Sequence, residues 1–241
     1  MAADAPTILA TSGGMTASRR LRWEVGPLTD FAVDLAGPVG RPRVCYLATA
    51  FGDSPESIRS FYEAAQLRGF TASHLALFPM PNVAGIRGRL LDQDVIWVGG
   101  GGVAGLLALW RLHGLDSVLR EAWQAGVVLT GVSAGSICWH VGGPTDSFGP
   151  SLRAVTDGLA LLPYSNGVHY DSEEQRRPTL HRMIADQTLP EGYASDDGVG
   201  LLYRGTRMVE AVSEVDGKAG YFVRRGADGE IVEERLPTRS L

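Results

Sequence analysis

The stretch Val127 to His140, VVLTGVSAGSICWH, limits the possible folds more than any other part of the chain. Val127, Val128, Leu129 and Thr130 form an apolar, largely β-branched run of the kind that fills a buried parallel strand. The run ends at Gly131, Ser133 follows between two small residues, and a helix-compatible segment comes next. Strand, sharp turn and helix in that order lift one side chain clear of a sheet edge. They also leave backbone N–H groups unpaired at a helix start, where developing negative charge is stabilised. Glycines near Ser133 suit such a turn, because the backbone is strained there and a neighbouring Cβ would clash. The plainer alternative is a glycine-rich turn carrying a surface serine.

The same unit recurs along the chain. Thr7 to Ala10 runs into Thr11-Ser12-Gly13-Gly14, and Arg43 to Ala48 into a polar turn. Ser54-Pro55-Glu56 then starts a helix that continues through Ile58 to Leu67. Thr71 to Phe78 is a further strand. Val95 to Val98 leads directly into Gly99, Gly100, Gly101 and Gly102, after which Leu106, Leu107, Leu109 and Trp110 share a helical face. Leu115 to Trp123 predicts one more amphipathic helix. Strands alternating with helices, with turns at the same strand end, predict an α/β fold: a three-layer αβα arrangement around a mostly parallel sheet, in one domain over residues 1–241. Val199 to Tyr203, Arg207 to Val212 and Lys218 to Arg224 alternate between glycine-rich turns and predict antiparallel strands, as a hairpin or a small edge sheet.

Composition excludes several classes. With 44% hydrophobic and 20% charged residues the chain is globular and not disordered. A net charge of −5 without a basic cluster argues against nucleic acid, and no apolar run reaches the roughly 18 residues of a membrane span. The segment MAADAPTILATSGG has no charged start or long apolar stretch, so it does not read as a signal peptide, and the cytoplasm is the expected location. Cys45 and Cys138 lie in apolar runs and are expected as buried, reduced thiols. The five histidines show no metal-ligand spacing, so neither a metal nor another cofactor is expected.

A serine nucleophile needs a base, a group that orients the base, and N–H donors for the oxyanion. His169, in Ser165-Asn166-Gly167-Val168-His169-Tyr170-Asp171, is the best-placed base, at the end of a short run after Pro163. His74, His113, His140 and His181 fit less well. Three positions compete for the orienting acid: Asp146 in the turn after the nucleophile helix, Asp171 two residues after His169, and Asp196 or Asp197 in a later loop. Each also suits a plain turn. The glycines from Gly99 allow a close backbone approach, for an oxyanion, a phosphate or tight strand-to-helix packing. No Lys-Ser/Thr follows them, which weakens the phosphate reading.

The blocks VIWVGGG with LLALW, GVVLTGVSAGSICW, GGPTDSFGP and GLALLPYSNGVHYDSE, in that order, resemble the peptidase E family of serine peptidases, the S51 or aspartyl dipeptidase group. The resemblance implies a class I glutamine amidotransferase-like, flavodoxin-like fold and a metal-free hydrolase that removes N-terminal aspartate from dipeptides. It maps the nucleophile to Ser133, the base to His169 and the orienting acid to Asp146, with oxyanion donors at the amides of Gly101 and Ala134. Gly100 and Gly102 then border the substrate. The family usually has Asn or a small polar residue where this chain has Gly102. Recognition of an aspartate side chain needs a cation, for which Arg176 matches an arginine region of the family. Glu173 or Glu174 is the candidate for a free amino terminus, while a solvated helix face is the plain reading of this charged run.

The expected function is therefore a cytoplasmic serine exopeptidase acting on small peptides, as a monomer or homodimer. Two rivals stand beside it. An α/β-hydrolase esterase also carries G-x-S-x-G, but generally separates nucleophile and histidine further and has an HGGG-type loop that this chain lacks. A non-catalytic binding module of the same fold would use the glycine turns for a small metabolite or a partner protein.

Overall fold

Successive residues of a strand point to opposite faces of a sheet, and Val95–Val98 shows what this does here. Ile96 and Val98 enter one apolar cluster, with Trp110, Leu119 and Trp139, while Val95 and Trp97 enter another, with Tyr46, Phe61 and Ala65. Arg43–Leu47 divides in the same way: Cys45 and Leu47 go to the first cluster, Val44 and Tyr46 to the second. Both faces must therefore be covered. The helices Val103–Leu112 and Leu115–Gln124 supply the first cover, and Pro55–Arg68 supplies the second. Pro55–Arg68 begins where the sequence predicts, with the Ser54 hydroxyl accepting from Ser57 N and Pro55 in the first turn. It ends at Gly69, in the left-handed region with φ 76°.

A computed structural model describes residues 3–19, 21–37 and 40–241. The first two residues of the segment read above for a leader, Met1 and Ala2, lie outside the described residues. The main sheet has eight strands in the order Thr238–Ser240, Arg207–Ser213, Val199–Arg204, Thr7–Thr11, Val128–Val132, Val95–Val98, Arg43–Leu47 and Thr71–Leu75. From Thr7–Thr11 to Thr71–Leu75 every neighbouring pair is parallel, so the predicted α/β class with a mostly parallel sheet holds. Val199–Arg204 adds antiparallel to Thr7–Thr11, with Leu9 opposite Leu202.

The C-terminal strands divide between two sheets. Val199–Arg204 and Arg207–Ser213 widen the main sheet, whereas Gly220–Arg225 joins a second sheet ordered Ser165–Gly167, Gly192–Ser195, Gly220–Arg225 and Ile231–Arg235. In this second sheet Ser165–Gly167 runs parallel to Gly192–Ser195, with Ser165 opposite Gly192 and Gly167 opposite Ala194. Its pairing places the loops after both strands side by side. The carboxyl ends of Thr7–Thr11, Val95–Val98 and Val128–Val132 meet at one edge of the main sheet, where ligands bind in open α/β folds. Cys45 and Cys138 are buried and free, and burial pushes the Cys45 thiol up to about 11. No helix among the described residues is long and apolar enough to cross a membrane.

Candidate active site

Ser133 joins the strand Val128–Val132 to the short helix Ala134–Ile137. Its φ of 58° and ψ of −113° are a strained backbone for a residue with a Cβ, a conformation that costs on the order of 1–3 kcal/mol. Surrounding hydrogen bonds hold it there. Ser133 N donates to Thr11 O at 3.1 Å, and Ser133 O accepts from Ser136 N and Ile137 N at 2.8 and 2.9 Å. The elbow also packs against the end of Val95–Val98. A Cβ on Gly131 or Gly135 would lie 2.6 or 2.3 Å from Val98 O, so both glycines of the G-x-S-x-G run are needed for this contact.

Two backbone segments flank the serine. Gly99 N donates to Leu47 O at 3.1 Å and Gly102 N to Ala50 O at 2.9 Å, which pins the ends of the glycine loop. Between them, Gly100 lies against Ser133, since a Cβ there would stand 3.4 Å from that of Ser133. Gly101 has φ 130°, and a Cβ on it would meet Ala50 O at 2.2 Å. Opposite the loop, Ala134 opens the helix, so its N–H has no intrahelical acceptor.

His169 follows the strand Ser165–Gly167 with φ 53°. Its backbone N donates to the Ser12 hydroxyl at 3.3 Å, one residue beyond the Thr11 carbonyl that holds Ser133. The ring Nδ1 lies 2.6 Å from Asp197 Oδ1. With the Nδ1 proton directed to that carboxylate, Nε2 carries the lone pair and is the basic atom. Asp197 is itself held by Asp171, whose Oδ1 accepts from Asp197 N at 2.8 Å and whose other oxygen takes the Lys218 ammonium. Burial alone would raise the Asp171 pKa, but the Lys218 bond and backbone N–H groups lower it.

The expected partner of His169, Asp146, is elsewhere. It sits exposed in the turn after Gly143–Thr145, and its carbonyl accepts from Gly149 N at 3.0 Å. The short ribbon formed by Gly143–Thr145 and Arg153–Val155 sets this turn, whereas the second sheet delivers Asp197. Asp196 also points elsewhere, its Oδ2 accepting from Ala219 N and the Tyr221 hydroxyl. Of the carboxylates weighed from the sequence, the structure pairs only Asp197 with the His169 ring, and Asp171 acts one step further out.

A family model described as Peptidase family S51 matches residues 8–211. The chain belongs to peptidase family S51. This S51 chain is 44% identical over 203 residues to the uncharacterized peptidase YgaJ of Bacillus subtilis strain 168, which covers 83% of this chain and 86% of the relative. It is 29% identical over 140 residues to Peptidase E of Shewanella denitrificans, covering 54% of this chain and 57% of that protein. Among solved structures, a peptidase from an acI-B1 Actinobacterium aligns with TM-score 0.68 and 16% identity, over 97% of this chain and 95% of that one. A Listeria monocytogenes EGD-e protein provisionally assigned to peptidase E aligns with TM-score 0.60 and 17% identity, over 96% and 98%. At these identities the two structures show the fold alone.

Arg176 and Glu173, two of the side chains offered for substrate binding, bind each other in this S51 chain. Arg176 is 4% exposed, contrary to a solvated helix face; its Nε donates to Glu173 Oε2 at 2.6 Å and its Nη1 to Pro144 O at 2.8 Å. The pair fastens the helix Arg176–Ala185 to the Gly143–Thr145 ribbon. His140 is buried as well, with Nδ1 2.9 Å from Ser136 O, and desolvation lowers its pKa to about 4. No group of three or more His, Cys, Asp or Glu among the described residues is placed to hold a metal ion.

A cavity of about 320 Å³ opens beside Ser133 and the glycine loop. Tyr46, Phe61 and Trp97 form part of its wall, with Met15 and Trp23 from the hairpin Met15–Ala17 and Trp23–Val25. Arg22 and Glu56 also line it and form an ion pair. None of these side chains stands out in the sequence as a site residue. Tyr46 and Trp97 occupy alternate positions of buried strands, a pattern that reads as core.

Proposed function

We propose that this S51 chain is a serine peptidase of short peptides in which Ser133 is the nucleophile, His169 the base and Asp197 the group that orients it. The Ser133 Oγ attacks the scissile carbonyl as His169 Nε2 takes its proton, and the Asp197 carboxylate stabilises the imidazolium that forms. The oxyanion is received between the amides of Gly101 and Ala134, donors fixed in place before the reaction. Collapse of the tetrahedral intermediate breaks the C–N bond, and His169 returns its proton to the leaving amine. Water then attacks the acyl-enzyme with His169 again as base, releasing the acid and restoring the Ser133 hydroxyl.

One observation carries the reading: a histidine with Nδ1 held by Asp197 at 2.6 Å, tied through Ser12 to the strand end that fixes a strained Ser133. A cytoplasmic setting fits it, since both thiols are free and buried. The resemblance to aspartyl dipeptidases adds N-terminal aspartate as the residue removed, and a buried carboxylate would require a cation. Arg22 is the only side-chain cation lining the cavity among the described residues, and it is paired with Glu56. Short peptides are therefore the proposed substrate class, without a preference for aspartate.

Ser133→Ala tests the mechanism. Hydrolysis of a dipeptide library should fall by at least about a thousandfold, as expected for loss of a nucleophile, while the circular dichroism spectrum and melting temperature persist. A well-folded variant with near-wild-type hydrolysis would overturn the assignment.

A further inference from the structure

The cavity beside Ser133 has a chemical character that the catalytic groups do not explain. Its inner wall is aromatic: the Tyr46 ring stacks on Phe61 at 4.9 Å between centroids and tilts against Trp97 at 5.1 Å. The Tyr46 hydroxyl bonds to the Ser57 hydroxyl at 2.6 Å, and burial raises its pKa, so this polar atom is both satisfied and neutral. Trp23 and Phe51, 38% and 60% exposed, also line the cavity, and Met15 extends the apolar surface. Large aromatic rings left this exposed around a concave site mark a surface built to be covered. Its lining charges, Arg22 and Glu56, neutralise each other. A carboxylate entering the cavity would lose its hydration and would have to break that ion pair to gain a partner.

The position of His169 decides which side of the scissile bond the cavity serves. The leaving amine must collect its proton from His169. His169 hangs from Ser12 and Asp197 and does not line the cavity, whereas the glycine loop that faces the oxyanion does. The leaving group therefore lies toward His169 and the acyl-side residue toward Tyr46 and Trp97.

We infer that this cavity binds a large apolar side chain, aromatic or long aliphatic, on the acyl side of the scissile bond, and that Met15, Trp23, Tyr46, Phe61 and Trp97 set this preference. The inference rests on the peptidase reading for its chemistry, but its binding test does not depend on turnover. Ser133→Ala protein is titrated with the dipeptides Phe-Leu, Leu-Leu and Asp-Leu while tryptophan fluorescence is followed, since Trp23 and Trp97 line the cavity. Phe-Leu and Leu-Leu should bind at least tenfold more tightly than Asp-Leu, and the wild-type kcat/KM should follow the same order. Trp23→Ala, at a half-exposed hairpin position, should weaken Phe-Leu several-fold more than it weakens Asp-Leu. Met15→Arg, which adds an unpaired cation, should shift the ratio toward Asp-Leu by at least tenfold. Asp-Leu binding as tightly as Phe-Leu, or no measurable binding by either, overturns the inference. Tight Phe-Leu binding without cleavage by the wild type, and without labelling of Ser133 by a small sulfonyl fluoride, supports the cavity and overturns the peptidase reading instead.

Discussion

Asp197→Asn is the substitution that best separates the geometry from the expectation that the family resemblance implies. Asn keeps the shape of the side chain and removes its charge, so in the proposed mechanism the imidazolium formed when His169 takes the Ser133 proton loses its counter-ion. Two unit charges about 4 Å apart attract by about 4 kcal/mol at an effective dielectric of about 20. At 1.36 kcal/mol per tenfold in rate, that corresponds to a loss of about a thousandfold. The Asp197 side chain is 45% exposed, however, so water takes over part of its role, and a loss of about 10² to 10³ in kcat is expected. KM should change little, because the charge acts on the transition state. Steady-state hydrolysis of a cleaved dipeptide near neutral pH, with Asp146→Asn in parallel, provides the comparison. Asp146→Asn should stay within about threefold of wild type, as its side chain is exposed and does not meet His169. A reversed pattern, with Asp146→Asn crippled and Asp197→Asn nearly normal, would refute the argument.

Two further expectations concern stability. His140 is fully buried with its pKa lowered to about 4, below the ordinary 6.5, so between those values the unfolded chain binds more protons than the folded one. Its contribution is complete above about pH 6.5 and falls away as pH drops toward 4, by up to about 3 kcal/mol. Urea melts of wild type and His140→Gln across this window should show a shallower pH slope for the variant; parallel slopes would exclude His140 as the cause. Gly135→Ala drives a Cβ to 2.3 Å from Val98 O, a contact that only a backbone shift can relieve. It should cost at least about 2 kcal/mol or abolish folding, and a thermal melt within a degree of wild type would contradict the packing described for the elbow.

Much of the main sheet was legible because buried parallel strands announce themselves as short apolar runs closed by glycine. Val95 to Val98 and Val128 to Thr130 were visible for that reason, and so was Ser133 at the turn after the second. The carboxylate that meets the His169 ring was legible only as one of several competing candidates. An Asp-Asp-Gly sequence looks like any turn, and what sets Asp197 apart is the parallel pairing of Ser165–Gly167 with Gly192–Ser195, a contact between distant segments of just three residues on one side. Asp146 was put forward by the resemblance to the peptidase E family, but a local ribbon turns it outward. Arg176, which the resemblance offers as a substrate cation and its charged neighbours Glu173, Glu174 and Arg177 suggest as a solvated face, is buried, and only the packed helix shows that its guanidinium faces the Pro144 carbonyl. The cavity wall was hidden because a tyrosine or tryptophan at an apolar strand position has the same pattern whether it fills a core or faces a ligand.

The N-terminal strand Thr7–Thr11 lies between Val128–Val132 and Val199–Arg204, so both its partners leave the ribosome long after it does. Thr11 and Ser12, the residues that hold Ser133 and His169, can hold neither until those much later segments have been made. Asp197 arrives later still. A nascent or prematurely terminated chain ending before that loop would carry the serine elbow without the carboxylate that pairs with the His169 ring. Order of synthesis thus leaves the proposed catalytic centre incomplete until the segment that carries Asp197 has been made.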